Sequence, residues 1–251
     1  MSGKIIGIRV IKPQSNYKPP AIFNRTMISD RTENATNVTS DTRQENMGGI
    51  VYLVVDCSGS MEGYKMDQAK QGILEFAQDA IKKDYPVGLI KFSSTATHLC
   101  EPKSNVEDLS AYLDDMDANG STNMAAAIAM ANEHLNDTRY TRVMVIVTDG
   151  RPDRTQFALQ AGQIAKNEGI DIITIGTDDA DVSFLKKLAT NEDFGSKVSS
   201  EQFAKAIGSA HLLLPDPNRA FQNKLLSHEQ DESLKYSGNY SYSFSKQSVA
   251  F

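Results

Sequence analysis

Three short segments of the sequence carry carboxylates and hydroxyls at spacings that suit a hard metal ion. They read DCSGS at residues 56–60, GST at residues 120–122 and TDG at residues 148–150. Every candidate ligand in them offers a hard oxygen, which suits Mg²⁺ or Mn²⁺ and does not suit a soft metal. The pattern therefore favours binding of a divalent cation, with oxygens from Asp56, Ser58, Ser60, Thr122 and Asp149.

The surrounding pattern predicts a parallel sheet that would bring these segments together. Near-continuous apolar runs at 50–56 and 142–149 are typical of strands buried on both faces. Residues with helical spacing follow at 64–82 and 154–167. Repeated alternation of strand and helix predicts an α/β fold: a doubly wound, mostly parallel sheet with helices on both faces. Ligands lie at the carboxyl ends of the strands in such sheets, so we expect the segments at one edge.

One pair of strands is expected to break the parallel pattern. The segments 86–94 and 96–100 are too close for a crossover helix, and they predict a short antiparallel hairpin at the sheet edge. The Ala-rich stretch 123–135 predicts a helix with Ser121 or Thr122 as its N-cap. The remaining pattern predicts a strand at 170–176 and helices at 106–116, 181–189 and 200–210.

The three segments, in this order and on these elements, resemble the Asp-x-Ser-x-Ser, Thr and Asp motifs of the von Willebrand factor A (VWA) domain. In that family the motifs form the metal-ion-dependent adhesion site (MIDAS). The resemblance covers residues 48–210 and implies Mg²⁺, with Mn²⁺ or Ca²⁺ as alternatives. It implies that three hydroxyls bind the ion directly or through water, those of Ser58, Ser60 and Thr122. It implies that Asp56 and Asp149 anchor the ion through water or outer hydrogen bonds.

The resemblance also implies a protein-binding module and not an enzyme. An Asp or Glu from a partner protein would complete the octahedron of the ion. The chain is similar to bacterial stand-alone VWA proteins of the tellurite-resistance-associated group. That similarity implies an adaptor or scaffold in a signalling or stress/defence system, with a kinase, a phosphatase or a MoxR-type AAA+ ATPase as partner.

Simpler roles for the same residues stay open at this point. Asp56 could cap a helix, Thr122 could be a plain N-cap, and Asp149 could form a turn before Gly150. The alternative function is a metal-dependent phosphoryl-transfer enzyme, because an acidic strand end with Mg²⁺ also serves phosphatases. The segment lacks the Asp-x-Asp pair and a nearby general base, which disfavours that chemistry. It also lacks Gly-x-Gly-x-x-Gly, which disfavours dinucleotide binding.

Composition sets limits on the partners and the location. The 251 residues carry a formal net charge of −6, and residues 49–214 (15 basic, 24 acidic) carry −9, which disfavours nucleic acid as a partner. The sequence shows neither a signal peptide nor an apolar stretch of about 18 residues, so we expect a cytoplasmic protein without a membrane partner. Residues 1–47 predict an N-terminal strand and a polar linker, 48–210 the VWA-like domain, and 211–251 a Ser/Tyr-rich tail.

The cysteines and histidines are not expected to add further chemistry. Two cysteines cannot build a disulfide framework, and a carboxylate beside Cys57 should raise the pKa of its thiol and keep it inert. The four histidines are scattered without ligand spacing, which favours structural or surface roles. They are His98, His134, His211 and His228.

Overall fold

The computed structural model describes residues 48–219. The predicted N-terminal strand and polar linker of residues 1–47, and the tail beyond residue 219, lie outside the described residues. The domain boundaries at residues 47 and 210 therefore stay predictions. Within residues 48–219, no helix combines the length and the apolar character needed to cross a membrane.

The described chain forms a six-stranded sheet that is parallel except at one edge. The strands are β1 (Gly49–Asp56), β2 (Val87–Phe92), β3 (Ala96–Lys103), β4 (Thr141–Thr148), β5 (Asp171–Thr177) and β6 (Gly195–Val198). Their order is β3-β2-β1-β4-β5-β6, and only β2 and β3 pair in antiparallel fashion among them. The predicted doubly wound, mostly parallel sheet is confirmed. The edge strand β3 runs to Lys103, three residues beyond its predicted end.

Helices cover both faces of the sheet, as the alternation predicted. They are α1 (Tyr64–Lys82), α2 (Val106–Ser110), α3 (Met124–His134), α4 (Thr155–Asn167), α5 (Val182–Leu188) and α6 (Phe203–Ser209). Buried residues of α1, α2 and α6 form one hydrophobic cluster, and those of α3, α4 and α5 form another. Two predicted helices are shorter in the structure, since α2 ends at Ser110 and a 3-10 turn precedes α6.

The central strand β1 explains why its sequence is almost entirely apolar. Val51, Leu53 and Val55 belong to the cluster under α1, whereas Tyr52 and Val54 belong to the cluster under α3, and all are fully buried. The strand order reverses between β1 and β4, because the chain adds strands on one side of β1 and then on the other. In doubly wound sheets, ligands bind at the carboxyl ends of the strands at this switch point.

The chain after α6 continues to pack on the sheet domain. Leu214 is buried in the cluster that contains α1 and α6. The hydroxyl of Tyr85 donates a hydrogen bond to the backbone oxygen of Pro215 at 3.0 Å. These contacts hold the segment that follows α6 against the loop that precedes β2.

A glycine at the crossing of α1 and α6 provides a test of this packing. A Cβ on Gly72 would lie 2.6 Å from the backbone oxygen of Ala204 and 2.7 Å from the Cβ of Ile207. We expect Gly72→Ala to lower the free energy of unfolding by about 1–2 kcal/mol, because overpacking outweighs the gain in helix propensity. Urea denaturation measures the change. The exposed Gln78→Ala on the same helix is the control, expected within about 0.5 kcal/mol of wild type.

Candidate metal-binding site

The site is built around the fully buried carboxylate of Asp56 at the end of β1. Its Oδ1 accepts a hydrogen bond from the backbone N–H of Ser58 at 2.8 Å, and its Oδ2 accepts one from Oγ1 of Thr148 at 2.6 Å. Helix α1 begins later, with Gly63 at its N-cap. The helix-capping interpretation of Asp56 is therefore wrong: this carboxylate shapes the turn after β1 and ties that turn to the end of β4.

A chain of hydroxyls connects the turn after β1 to the loop after β4. Ser60 Oγ donates to Asp149 Oδ1 at 2.8 Å, and the Ser58 and Ser60 hydroxyl oxygens lie 3.0 Å apart. Because the Ser60 proton points to Asp149, Ser58 is the donor in the contact between the two serines. Asp149 is almost fully buried, so its carboxylate belongs to the site and is not merely an exposed turn former.

Backbone hydrogen bonds hold the loop that carries Thr122 against the other two segments. The N–H of Gly59 donates to the oxygen of Gly120 at 3.1 Å, and the N–H of Asp153 donates to the oxygen of Thr122 at 3.0 Å. The N-cap of α3 is Asn123, whose side chain accepts from the N–H of Ala126. The prediction of Ser121 or Thr122 as the N-cap is wrong, and the Thr122 hydroxyl is not used for capping.

Burial dominates the electrostatics of the turn after β1. It raises the pKa of Asp56 to about 6, although the hydrogen bonds from Thr148 and Ser58 act in the opposite direction. Burial, followed by the charge of Asp56, raises the pKa of the Cys57 thiol to about 12. The predicted rise in the pKa of this thiol is confirmed, with burial as the larger cause.

Sequence reasoning missed three residues of the site. The ammonium of Lys65 contacts Asp149 Oδ2 and lies 3.4 Å from Asp178 Oδ2. Burial lowers the pKa of Lys65, but the hydrogen bond and charge of Asp149 outweigh it and leave the pKa raised. Thr148 and Asp178 could have been found, since they end or follow a strand at the same sheet edge. No sequence pattern singled out Lys65.

The observed donor set fits a small divalent cation. In an octahedron with metal–oxygen bonds of about 2.1 Å, adjacent ligands lie about 3.0 Å apart. The spacings of 3.0 Å between Ser58 and Ser60 and 2.8 Å between Ser60 and Asp149 match that value. The structure brings four of the predicted residues into one hydrogen-bonded network and anchors the backbone of the fifth, Thr122, beside it.

Comparison with known sequences agrees with this arrangement. The family model of the von Willebrand factor type A domain matches residues 51–209. The chain therefore belongs to the VWA family, a family of protein-interaction modules that bind metal at the MIDAS motif. The resemblance recognised in the sequence motifs is confirmed.

Two curated relatives are larger proteins. Inter-alpha-trypsin inhibitor heavy chain H4 from Sus scrofa is 28% identical over 191 residues, which is 65% of this chain and 20% of that protein. A UPF0353 protein from Mycobacterium ulcerans is 32% identical over 157 residues, which is 55% of this chain and 47% of that protein. The chain thus spans less than half the length of either relative.

Solved structures confirm the fold. The vWF domain of the type V pili tip protein Mfa5 from Porphyromonas gingivalis superposes with a TM-score of 0.60 at 14% identity, over 66% of this chain and 95% of that one. Proximal thread matrix protein 1 from the mussel byssus, with a zinc-occupied MIDAS motif, gives 0.55 at 18% identity, over 67% and 46%. In that mussel protein the ion is zinc, so the fold alone does not define which metal binds.

The hydroxyl chain predicts metal-dependent stability. We expect millimolar Mg²⁺ or Mn²⁺ to raise the Tm of the wild type by about 3–6 °C, the shift for a ligand present at roughly ten times its Kd. Ser60→Ala should lose most of this shift because it removes the central hydroxyl. Differential scanning calorimetry with and without EDTA measures it. Ser196→Ala, an exposed serine on β6, is the matched control and should keep the full shift.

The position of Lys65 predicts competition with the cation. The ammonium of Lys65, held against Asp149, repels a divalent ion bound nearby and weakens its binding by about 1 kcal/mol or more. Lys65→Met should therefore tighten Mn²⁺ binding roughly fivefold or more, as measured by isothermal titration calorimetry. Lys82→Met, at the far end of α1, should leave the affinity unchanged. Weaker binding by Lys65→Met would instead show that the ammonium supports the site.

Proposed function

We propose that the chain binds a divalent cation through Ser58, Ser60 and Thr122, with Asp56 and Asp149 as anchors, and so captures an acidic side chain of a partner protein. The ion is Mg²⁺, with Mn²⁺ or Ca²⁺ as alternatives. The supporting observation is the chain of hydrogen bonds from Ser58 through Ser60 to Asp149, at spacings close to those of octahedral ligands. When bound, the ion supplies a coordination position for the carboxylate of an Asp or Glu.

The residues of the site favour an incoming carboxylate. Ser58 and Ser60 offer neutral hydroxyl ligands, which leave most of the charge of the ion uncompensated. The negative charge of Asp149 is shared with the ammonium of Lys65. With hydroxyl ligands and one of its two carboxylates paired to Lys65, the site attracts an anionic ligand more strongly than an all-carboxylate site would.

The surface beside Thr122 supports a protein as the partner. A depression there is lined by residues that include Asp153, Arg154 and Phe157. Phe157 is 51% exposed, and the Arg154 guanidinium lies 5.6 Å from its ring centroid. Aromatic and arginine side chains are enriched among the residues that dominate binding energy at protein interfaces.

We propose an interaction module and not the alternative, a phosphoryl-transfer enzyme. The Cys57 thiol is protonated because its pKa is raised to about 12, and both carboxylate oxygens of Asp56 already accept hydrogen bonds. Both groups lie in the turn after β1, where a thiolate or a free carboxylate could otherwise attack a phosphorus atom. Their engagement supports binding without turnover.

The proposed setting is an adaptor or scaffold in the bacterial cytoplasm. The partner would be a kinase, a phosphatase or a MoxR-type ATPase in a signalling or stress/defence system. The mycobacterial relative supports a bacterial setting. The charge of −9 on residues 49–214 supports a protein over a nucleic acid as the partner.

Capture from the native cell extract tests this function. We expect the immobilised chain to retain a partner in Mg²⁺, to release it in EDTA, and to lose it in the variant Asp56→Ala/Ser58→Ala. With the purified partner, replacing its contacting acid by Asn or Gln should weaken binding at least tenfold, because the neutral amide is a poorer ligand for the ion.

Two outcomes would contradict the function. One is retention of the same partner by both the EDTA-treated chain and the double variant, while Ser196→Ala behaves as wild type. The other is metal-dependent hydrolysis of a phosphate ester by the pure chain that Asp56→Ala abolishes, which would establish the enzyme instead.

A further inference from the structure

A second cluster of metal-ligating side chains lies at the β3 edge of the sheet, on the face that α3 covers. It consists of His98 and Glu101 from β3 and His134, the last residue of α3. Glu101 Oε1 lies 3.9 Å from His98 Nε2 and 3.6 Å from His134 Nδ1. One ligand atom from each of the three residues lies within 4.8 Å of the others.

The cluster is separate from the site at the carboxyl ends of the strands. The hydroxyl of Tyr52 contacts the cluster, and Tyr52 precedes Asp56 by four positions on β1, about 13 Å of strand. Helix α3 leads from the Thr122 loop to His134 over 11 residues, about 16 Å. The two sets of ligands therefore share no residue and can be altered independently.

A β-bulge brings the two ligands of β3 to the same face of the sheet. Residues three apart on a regular strand point to opposite faces. In β3, Cys100 pairs with Leu89 and His98 pairs with Ile90, so Leu99 is an extra residue on this strand. The extra residue restores His98 and Glu101 to one face, where both contact the Tyr52 hydroxyl, at 3.2 and 2.9 Å. Bulges of this kind often redirect a side chain beside a functional site.

The two imidazole rings lie face to face. They stack in parallel, with centroids 3.9 Å apart and planes at 5°. Burial, followed by the charge of the neighbouring His134, lowers the pKa of His98. The side chains of His98, His134 and Glu101 are 22, 30 and 56% exposed, so an ion and a water molecule can reach them.

A buried tyrosine orients the carboxylate. Tyr52 donates its proton to Glu101 Oε2, which leaves Oε1 facing the two imidazoles. Outer hydrogen bonds of this type hold metal ligands in position. Because the tyrosine proton is directed to Glu101, His98 Nε2 carries the proton in its contact with Tyr52. Metal binding at Nε2 therefore requires the other tautomer of His98, with the proton at Nδ1.

We propose that His98, Glu101 and His134 form a second metal site, which binds Zn²⁺ through the two imidazoles and the carboxylate, with water as the fourth ligand. Two histidines, one carboxylate and water are a known tetrahedral donor set for zinc. With bonds of about 2.0–2.1 Å, the ligand atoms lie about 3.3 Å apart. The distances of 3.6 and 3.9 Å from Glu101 need to close by only about 0.6 Å or less, and the stacked rings tilt apart.

A zinc titration of the full chain tests this site. The variant Asp56→Ala/Ser58→Ala removes the hard-oxygen site, which is necessary because a MIDAS motif can hold zinc in the mussel protein. We expect this variant to bind one Zn²⁺ per chain in competition with a chromophoric chelator. Adding His134→Ala should weaken that binding at least 100-fold, whereas adding His211→Ala, a histidine outside the cluster, should leave it unchanged.

Two further measurements keep the test decisive. If the double variant does not fold, His134→Ala in the wild-type background should lower the zinc stoichiometry by one. With Co²⁺ in place of zinc, strong visible absorption of a four-coordinate ion should appear and be lost in His98→Ala. Unchanged zinc affinity in both histidine variants, or no zinc bound at tens of micromolar free Zn²⁺, would overturn the proposal. Neither result would change the expected effect of Mg²⁺ on the Tm, which depends on the site around Asp56.

Discussion

The site depends on the hydrogen bonds of the buried Asp56 carboxylate, which also join the ends of two central strands. Burial raises its pKa to about 6, so the folded state has to supply partners that compensate for lost water. One partner is local, the N–H of Ser58, and the other is Thr148, 92 residues away in the sequence. The bond to Thr148 fixes the ends of β1 and β4 side by side. Asp149 is the next residue, and its position beside Ser60 follows from that bond.

The same arrangement explains why the site lowers the stability of the fold and why it is suited to binding a cation. Two buried carboxylates, those of Asp56 and Asp149, lie at the switch point of the sheet. Lys65 offsets part of their repulsion through Asp149, and a divalent cation would offset more. Binding sites commonly retain such locally unfavourable groups because the ligand supplies the missing interaction. The stability of the folded state and the binding of metal are thus linked through Asp56 and Asp149.

The sequence predicted the centre of the fold better than its edge. β1 and β4 were predicted to within one residue at each end, because strands buried on both faces leave continuous apolar runs. The cap of α3 was not predicted, since Ser121, Thr122 and Asn123 are all good capping residues. The start of the helix depends on packing that local sequence does not record. The cluster around His98 was missed because the predicted strand stops at residue 100, before Glu101, and no local spacing links these residues to His134 on α3.

The β-bulge at Leu99 in the edge strand β3 has two structural consequences. An exposed edge invites pairing with another chain, and bulges and proline on that edge oppose it. β3 has both, with Leu99 as an extra residue and Pro102 within the strand. The bulge that disrupts the edge for pairing also turns His98 and Glu101 to the face covered by α3. Because α3 begins beside Thr122 and ends at His134, an ion held at the edge would restrain the helix that carries the Thr122 loop at its other end.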